Sequence, residues 1–312
     1  MMIRSRTVWG WCVAVTLCGA PSVVAQDRQD PQAPPPQQPA QQQPAQQQPA
    51  QQQTQQPQAE AAPEKADPDA RVDPLQPDFM LSALPTTLRL PHNKLSFVVT
   101  HRFDRSLGRG DLGDLLSDFF GFDSGAQIGL GLRYGLLPGT QVGIYRTSDR
   151  TIELFGQQSV MQQKPDGRPL SVDVLVTLEG LNNLHGEKSG AFGLIVSRKI
   201  HGIVAAYVEP MFVANTNFVD NPGDDNNTAM VGLGARIRIR PKVYLVGEVT
   251  PRIGGYEPGV NQGSFGVEIR SGGHLFQISF SNGLGTTLGQ IARGGVDANS
   301  WFIGFNIARK FF

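Results

Sequence analysis

Apolar and polar residues alternate along several segments of this sequence, each nine to twelve residues long. In the segment 126–134, Ile128, Leu130 and Leu132 share one face, whereas Arg133 lies on the opposite face. A period of two indicates a β-strand, because successive side chains of a strand point to opposite faces. About nine to eleven residues is also the length of a tilted strand that crosses a bilayer. The alternation therefore predicts an all-β fold with strands long enough to span a membrane.

The same pattern predicts about twelve strands and a regular order of connections between them. Short turns, such as 136–139 and 272–273, alternate with long loops, such as 104–124 and 283–299. Bacterial outer-membrane barrels combine short periplasmic turns, long outer loops and an even strand number. We therefore predict a transmembrane up-and-down antiparallel β-barrel within 76–312, with both chain ends on the short-turn side. Its strands are expected at roughly 94–103, 125–135, 140–148, 151–162, 170–180, 190–199, 203–215, 228–240, 242–252, 263–271, 274–282 and 300–312.

The first 25 residues have the features of a targeting segment. Arg4 and Arg6 precede an apolar stretch, and Val23-Val24-Ala25 offers a cleavage site of small residues. We therefore predict a cleaved signal peptide, 1–25. Both cysteines of the sequence lie inside it, so the exported chain is expected to carry no disulfide and no Cys-ligated metal.

A low-complexity segment follows, in which Pro-Ala-Gln-Gln-Gln repeats three times from Pro39, Pro44 and Pro49. Such a composition offers too little apolar surface to offset the entropy cost of ordering the chain. We predict a disordered Pro/Gln-rich periplasmic spacer, 26–75. It is either a plain spacer or a tether that contacts cell-wall material or a periplasmic protein.

The end of the sequence is typical of a signal that the barrel assembly machinery recognises. Phe305, Ile307, Phe311 and the terminal Phe312 supply its apolar and aromatic positions. Lys310 departs from this pattern, because it stands where an apolar residue is usual.

The polar faces of the strands are expected to line the lumen, since the apolar faces would contact lipid and lipopolysaccharide. Charged residues on these faces are either an interior salt-bridge network or the charged constriction of a water-filled pore. The predicted lumen-lining residues are Arg133, Asp173, Glu179, Glu209, Arg236, Arg238, Glu248, Glu268 and Arg270.

Other chemistry is not indicated by the sequence. Basic and acidic residues number 27 each, which gives no reason to expect a nucleic-acid partner. The histidines lie in no recognised nucleophile setting, and no Gly-x-Ser-x-Gly occurs, so we predict no catalytic residue, cofactor or metal site.

The spacing of Leu112, Leu115, Leu116 and Phe119 predicts a short amphipathic helix in the first long loop. This helix would either plug the lumen or rest on the rim.

Two motifs resemble a known family. One is His101-Arg102-Phe103, and the other is Phe-Phe-Gly-Phe-Asp-Ser-Gly-Ala at 119–126. They resemble a bacterial outer-membrane β-barrel family of unknown function, and the resemblance covers about 85–312. It implies an outer-membrane barrel and no particular activity.

Three functions remain open from the sequence. The first is a passive channel for small solutes, the second a non-conducting scaffold that recruits a periplasmic or surface partner, and the third a lipid-acting membrane hydrolase. We expect the first, and therefore no enzyme.

Overall fold

The computed structural model describes residues 72–165, 167–219 and 225–311, which belong to one compact unit, Ala61–Phe312. The predicted signal peptide and the predicted spacer up to residue 71 lie outside the described residues. Within the described ranges, no helix is long and apolar enough to cross a membrane.

Thirteen strands form one antiparallel sheet that closes on itself. From β1 to β9 each strand pairs with the next along the chain, β9 pairs with β11, and β11, β12 and β13 continue the order until β13 pairs with β1 and closes the barrel. Pro251 lacks an N–H and interrupts the ninth strand, so β10 continues β9 and pairs with β8. If β9 and β10 are counted as one interrupted strand, the barrel has twelve strands, and the prediction of a closed twelve-stranded barrel is confirmed. The strands are β1 (Leu95–Phe103), β2 (Ala126–Leu137), β3 (Thr140–Thr147), β4 (Ile152–Met161), β5 (Ser171–Gly180), β6 (Lys188–Ile200), β7 (Val204–Ala214), β8 (Thr228–Arg240), β9 (Val243–Thr250), β10 (Arg252–Gly255), β11 (Gln262–Ser271), β12 (His274–Ser281) and β13 (Phe302–Phe311).

The apolar face of each strand points outward and stays exposed. Ile128, Leu130 and Leu132 of β2 are exposed, whereas Arg133 on the opposite face is buried inside. A soluble barrel would have the reverse arrangement, because water would then surround its outer face. The exposed apolar side chains form a belt around the barrel, which we call the outer belt.

The two ends of the barrel differ in their connections. The turns after β2, β6, β8 and β11 lie at one end, which we call the short-turn end. The loops after β1, β5, β7 and β12 lie at the other, which we call the long-loop end. The chain enters β1 at the short-turn end, as the sequence predicted.

The first long loop contains helix α1, Leu112–Ser117, in which no residue is buried. Asp111 caps this helix by accepting a hydrogen bond from the backbone N–H of Asp114, 3.0 Å away. The predicted helix therefore forms, and it lies at the rim rather than inside the lumen. A short 3-10 helix, Phe119–Gly121, follows it, and a one-turn helix α2, Leu181–Leu184, follows β5.

The final strand explains the departure at Lys310. Phe305, Ile307 and Phe311 point outward, whereas Lys310 points inward and is buried. Its Nζ lies 2.9 Å from Oδ1 of Asp78, which is also buried. The lysine therefore forms a buried ion pair inside the barrel. The predicted signal residue Phe312 lies outside the described residues.

Candidate functional site

The lumen is occupied by residues 72–90, which precede the first strand and which we call the lumen hairpin. Its two legs are joined by backbone hydrogen bonds from Leu81 N to Leu84 O, 2.8 Å, and from Thr86 N to Phe79 O, 2.9 Å. Both legs reach the short-turn end, because the second leg continues directly into β1. This element was not predicted from the sequence: residues 72–75 fall in the predicted spacer and residues 76–90 in the predicted barrel domain.

The base of the first leg is fixed to the short-turn end by three contacts. Lys199 Nζ at the end of β6 lies 2.7 Å from Oδ2 of Asp73. The hydroxyl of Tyr244 at the start of β9 donates to the carbonyl of Pro74, 2.9 Å. The buried pair of Lys310 and Asp78 is the third contact.

The tip of the hairpin, residues 82–84, is held by one glutamate. The carboxylate of Glu248 on β9 accepts the backbone N–H groups of Ser82, Ala83 and Leu84 at 3.0, 2.9 and 3.1 Å. Hydrogen bonds to a charged acceptor are about twice as strong as neutral ones. Glu248 is one of the predicted lumen residues, and its role here is to bind a backbone segment of the same chain.

The carbonyl groups of Leu81 and Ser82 accept hydrogen bonds from donors on β1, β12 and β13. Arg102 Nη2 and Asn306 Nδ2 donate to the carbonyl of Ser82, at 3.1 and 2.9 Å. Gln277 Nε2 donates to the carbonyl of Leu81, 2.9 Å. The backbone of the tip is therefore bound both by an acceptor on β9 and by donors on β1, β12 and β13. Arg102, Gln277 and Asn306 were not predicted as lumen residues, although each lies on the polar face of its strand.

A buried ion pair links β8 and β11, the two strands that flank β9. Arg236 Nε and Glu268 Oε2 are 2.6 Å apart, and both side chains are inaccessible to solvent. Arg236 Nη2 also donates to the carbonyl of Met80, 2.7 Å. Breaking a buried pair leaves an uncompensated charge, which typically costs 3–5 kcal/mol.

Glu268→Ala is therefore expected to lower the free energy of unfolding by about 3–5 kcal/mol. Urea unfolding of the detergent-folded barrel measures this change. The matched control is Glu187→Ala in an exposed loop, which should change stability by less than about 0.5 kcal/mol. A Glu268→Ala variant as stable as the control would show that the ion pair contributes nothing.

The second leg of the hairpin contacts β3, β4 and β6. Gln157 Nε2 donates both to the carbonyl of Thr86, 2.8 Å, and to Asp173 Oδ2, 2.7 Å. Gln141 Nε2 donates to the carbonyl of Leu88, 3.0 Å. Asp173, one of the predicted lumen residues, thus binds the side chain of Gln157, which in turn binds the hairpin.

The last long loop enters the lumen from the opposite end. It carries helix α3, Leu288–Ala292, in which Leu288, Ile291 and Ala292 are buried. The hydroxyl of Thr287 donates to the predicted lumen residue Glu179. Glu179 also pairs with Arg293, with 2.7 Å between Oε1 and Nη2.

Two further carboxylates hold this loop. Glu153 accepts the backbone N–H of Leu288 at 2.9 Å, and Asp149 accepts a hydrogen bond from Gln290 Nε2 at 3.0 Å. Burial alone would raise the pKa of Asp149, but hydrogen bonds from Thr147 and Thr151 lower it below its ordinary value. Asp149 is therefore charged at neutral pH, which strengthens its bond to the loop.

The hairpin and the last loop meet in an apolar cluster inside the barrel. Leu81 and Leu84 of the hairpin belong to it, together with Leu288 and Ile291 of the last loop. The wall contributes inward residues of β5 to β9: Leu175, Ala191, Ile195, Ala205, Tyr207, Met211, Val213, Met230 and Val246. One side of the lumen is thus apolar, which the sequence analysis did not anticipate.

Glu209 lies on this apolar side of the lumen. It is fully buried on β7 between the inward residues Tyr207 and Met211. Neither carboxylate oxygen has a hydrogen-bond partner among the described residues. Its backbone pairs with Gly232, next to the place where Leu84 of the hairpin packs. A carboxyl group without a hydrogen-bond partner in an apolar setting is costly whether it is charged or neutral, so Glu209 is unfavourable where it lies in this structure.

The remaining predicted residues have other surroundings. The guanidinium of Arg133 lies over the rings of Phe155 and Phe79, 4.4 and 5.1 Å from their centroids. Arg238 and Arg270 are half-buried near the short-turn end. Between the hairpin and the wall, the described residues enclose cavities of about 40 and 50 Å³ near Arg133. Each has room for only one or a few water molecules.

Comparison with known families assigns the barrel. The family model of a membrane-bound β-barrel domain (DUF5777) matches residues 78–311. The chain belongs to this family. The barrel is therefore membrane-bound, and its outer belt contacts lipid. The match begins at residue 78, so most of the lumen hairpin is part of the family's domain.

Solved structures of other barrels show weaker likeness. The NanC porin is 8% identical, with a TM-score of 0.45 over 70% of this chain and 99% of that chain. Outer membrane phospholipase A from Escherichia coli is 12% identical, with a TM-score of 0.41 over 70% of this chain and 93% of that chain. Neither likeness bears on what this barrel does. No curated protein matches the chain in sequence.

The histidines have ordinary surroundings. His101 points outward and stacks on Phe305, with ring centroids 4.8 Å apart. His92 contacts the carbonyl of Leu136, and His274 contacts Arg309. The described residues contain no group of three or more His, Cys, Asp or Glu side chains suited to a metal ion.

Proposed function

We propose that this protein is an outer-membrane channel for small solutes whose resting state is closed by the lumen hairpin. Glu209 carries the proposal. A buried carboxylate without a partner is unfavourable in the closed barrel, but water would solvate it once Leu84 and the rest of the tip left the lumen. The residue is thus better suited to an open, hydrated lumen than to the closed one.

The polar contacts of the hairpin are compatible with release. Those at its tip are hydrogen bonds, and water can solvate the groups on both sides once the tip has left. Both legs leave the lumen at the short-turn end, so the hairpin can withdraw without threading the chain through the barrel. In an outer-membrane barrel this end faces the periplasm. The last loop then narrows the outer end, because α3 packs on one side of the wall only.

A non-conducting scaffold is the second candidate, and the filled lumen favours it. In that case the hairpin would permanently fix the start of the chain, and the preceding segment would be held at the periplasmic mouth. The scaffold and the channel differ in one respect, namely whether the hairpin ever leaves the lumen. We propose no enzymatic role.

A thiol at the hairpin tip distinguishes the two candidates. Ala83→Cys places a cysteine at a buried position, and both native cysteines lie in residues 1–25. A charged, bulky thiol reagent is added while the current through a planar bilayer is recorded. We expect slow labelling, followed by a lasting increase in conductance, because the labelled tip cannot re-enter the lumen.

The control is Val296→Cys in the last loop, an exposed position that should label at once without changing the current. Wild-type protein supplies the background of labelling. If Ala83→Cys stays unlabelled while Val296→Cys reacts completely, the hairpin is permanent and the scaffold is correct. Labelling without conductance would likewise refute the channel.

A further inference from the structure

An apolar groove lies on the outer face of the barrel near the long-loop end. Its volume is about 270 Å³, and its lining is entirely apolar. Ile278 of β12 and Ile303 and Phe305 of β13 form one side, and Phe103 of β1 and Phe122 of the first loop form the other. The groove opens onto the outer belt, which is the surface that contacts lipid.

The first loop builds one wall of this groove by folding down over the barrel. The ring of Phe122 packs edge-on against Phe103, with centroids 4.6 Å apart. Arg105 holds the loop in this position, because its Nε binds Asp118 Oδ2 at 2.5 Å. Gly121 has a φ of +90°, and a Cβ there would lie 3.1 Å from Cβ of Arg105. The Phe-Phe-Gly-Phe-Asp-Ser-Gly-Ala motif thus shapes the groove.

The same loop presents further apolar side chains to its surroundings. Leu112, Leu116 and Phe119 are each more than half exposed, at 68%, 54% and 61%. A charged cavity of about 450 Å³ adjoins the groove, since its lining residues Asp104 and Asp123 directly follow Phe103 and Phe122 in the chain. Arg105 and Arg109 also line this cavity. An apolar slot below and a charged cavity above match the two halves of an amphiphile.

We propose that this groove binds one acyl chain of a membrane lipid, whose headgroup lies at the charged cavity. An acyl chain is the expected occupant because the groove is continuous with the outer belt, a surface that acyl chains already cover. The site is distinct from the lumen, and its occupancy does not depend on whether the barrel conducts.

Native mass spectrometry of the full protein tests the site. The protein is reconstituted into vesicles of phosphatidylethanolamine and phosphatidylglycerol and extracted in a mild detergent. The mass of the protein together with its retained lipid is then measured. Ile278→Trp fills the groove from the wall, and Phe122→Ala removes its other side. Ile237→Trp on β8, equally outward-facing but outside the groove, is the matched control.

We expect one retained lipid per barrel for the wild type and for Ile237→Trp, and an occupancy at least about tenfold lower for the two groove variants. Equal lipid retention in all four proteins would overturn the proposal. A dimer that is lost on Ile278→Trp would also overturn it, since a second copy of the chain would then cover the groove.

Discussion

Glu248→Ala is expected to open the barrel. The substitution removes the shared acceptor of three backbone N–H groups at the hairpin tip. Each buried donor that loses its acceptor costs about 1–3 kcal/mol, whereas the same groups are hydrated once the hairpin withdraws. Since about 1.4 kcal/mol is a factor of ten in an equilibrium, the open population should rise at least about tenfold. Single-channel recordings measure it as open probability.

Glu248→Gln is the matched control, because its amide oxygen still accepts a hydrogen bond from the tip. It should raise the open probability less than Glu248→Ala does. Retained heat-modifiable migration on electrophoresis shows that both variants are folded. If folded Glu248→Ala conducts no more than wild type, the glutamate does not keep the lumen closed.

Glu209→Met is expected to have the opposite effect. This change replaces a buried carboxyl group, which has no hydrogen-bond partner in the part of the chain that the structure describes, with an unbranched apolar side chain of similar length next to Tyr207 and Met211. Burying a carboxyl group without a hydrogen bond typically costs about 1–3 kcal/mol, and an apolar side chain of similar size avoids this cost. The variant should therefore unfold at a higher urea concentration and open less often than wild type.

Glu179→Met provides the comparison for this experiment. Glu179 is also buried in the lumen, but it is paired with Arg293 and accepts from Thr287. Its replacement should destabilise the barrel, because these partners lose their acceptor. If Glu209→Met is destabilised as strongly as Glu179→Met, the buried carboxylate stabilises the closed barrel and the argument from Glu209 fails.

The wall of the barrel could be predicted from the sequence because its signal is local. In a strand that separates lipid from a lumen, successive side chains face the two sides in turn. Apolar and polar residues therefore alternate between neighbouring positions of the sequence. The alternation separated Ile128 and Arg133 onto opposite faces, and the strand length, the predicted signal peptide and the aromatic C-terminal strand then favoured lipid on the side of Ile128. The charged lumen residues followed from the same alternation, although their partners did not.

The contents of the lumen were decided by tertiary structure. Residues 72–90 lack the strict alternation of the barrel strands, and their contacts lie far along the chain: Ser82 is 166 residues from Glu248, and Leu81 is 196 residues from Gln277. The hairpin's backbone groups need partners that only the closed barrel brings together. The same reason explains why a lysine stands at position 310. Its buried ammonium group pairs with Asp78, which only the folded hairpin brings beside it.

The loops show the same division. Helical spacing predicted α1, yet whether it entered the lumen depended on Arg105 and Phe122 holding the first loop against the outer wall. The last loop entered instead, because Glu179 and Glu153 offered acceptors for the start of α3. The sequence by itself therefore determined the barrel, its strands and their two faces. Only the closed tertiary structure decided what fills the lumen, since that depends on contacts between distant residues.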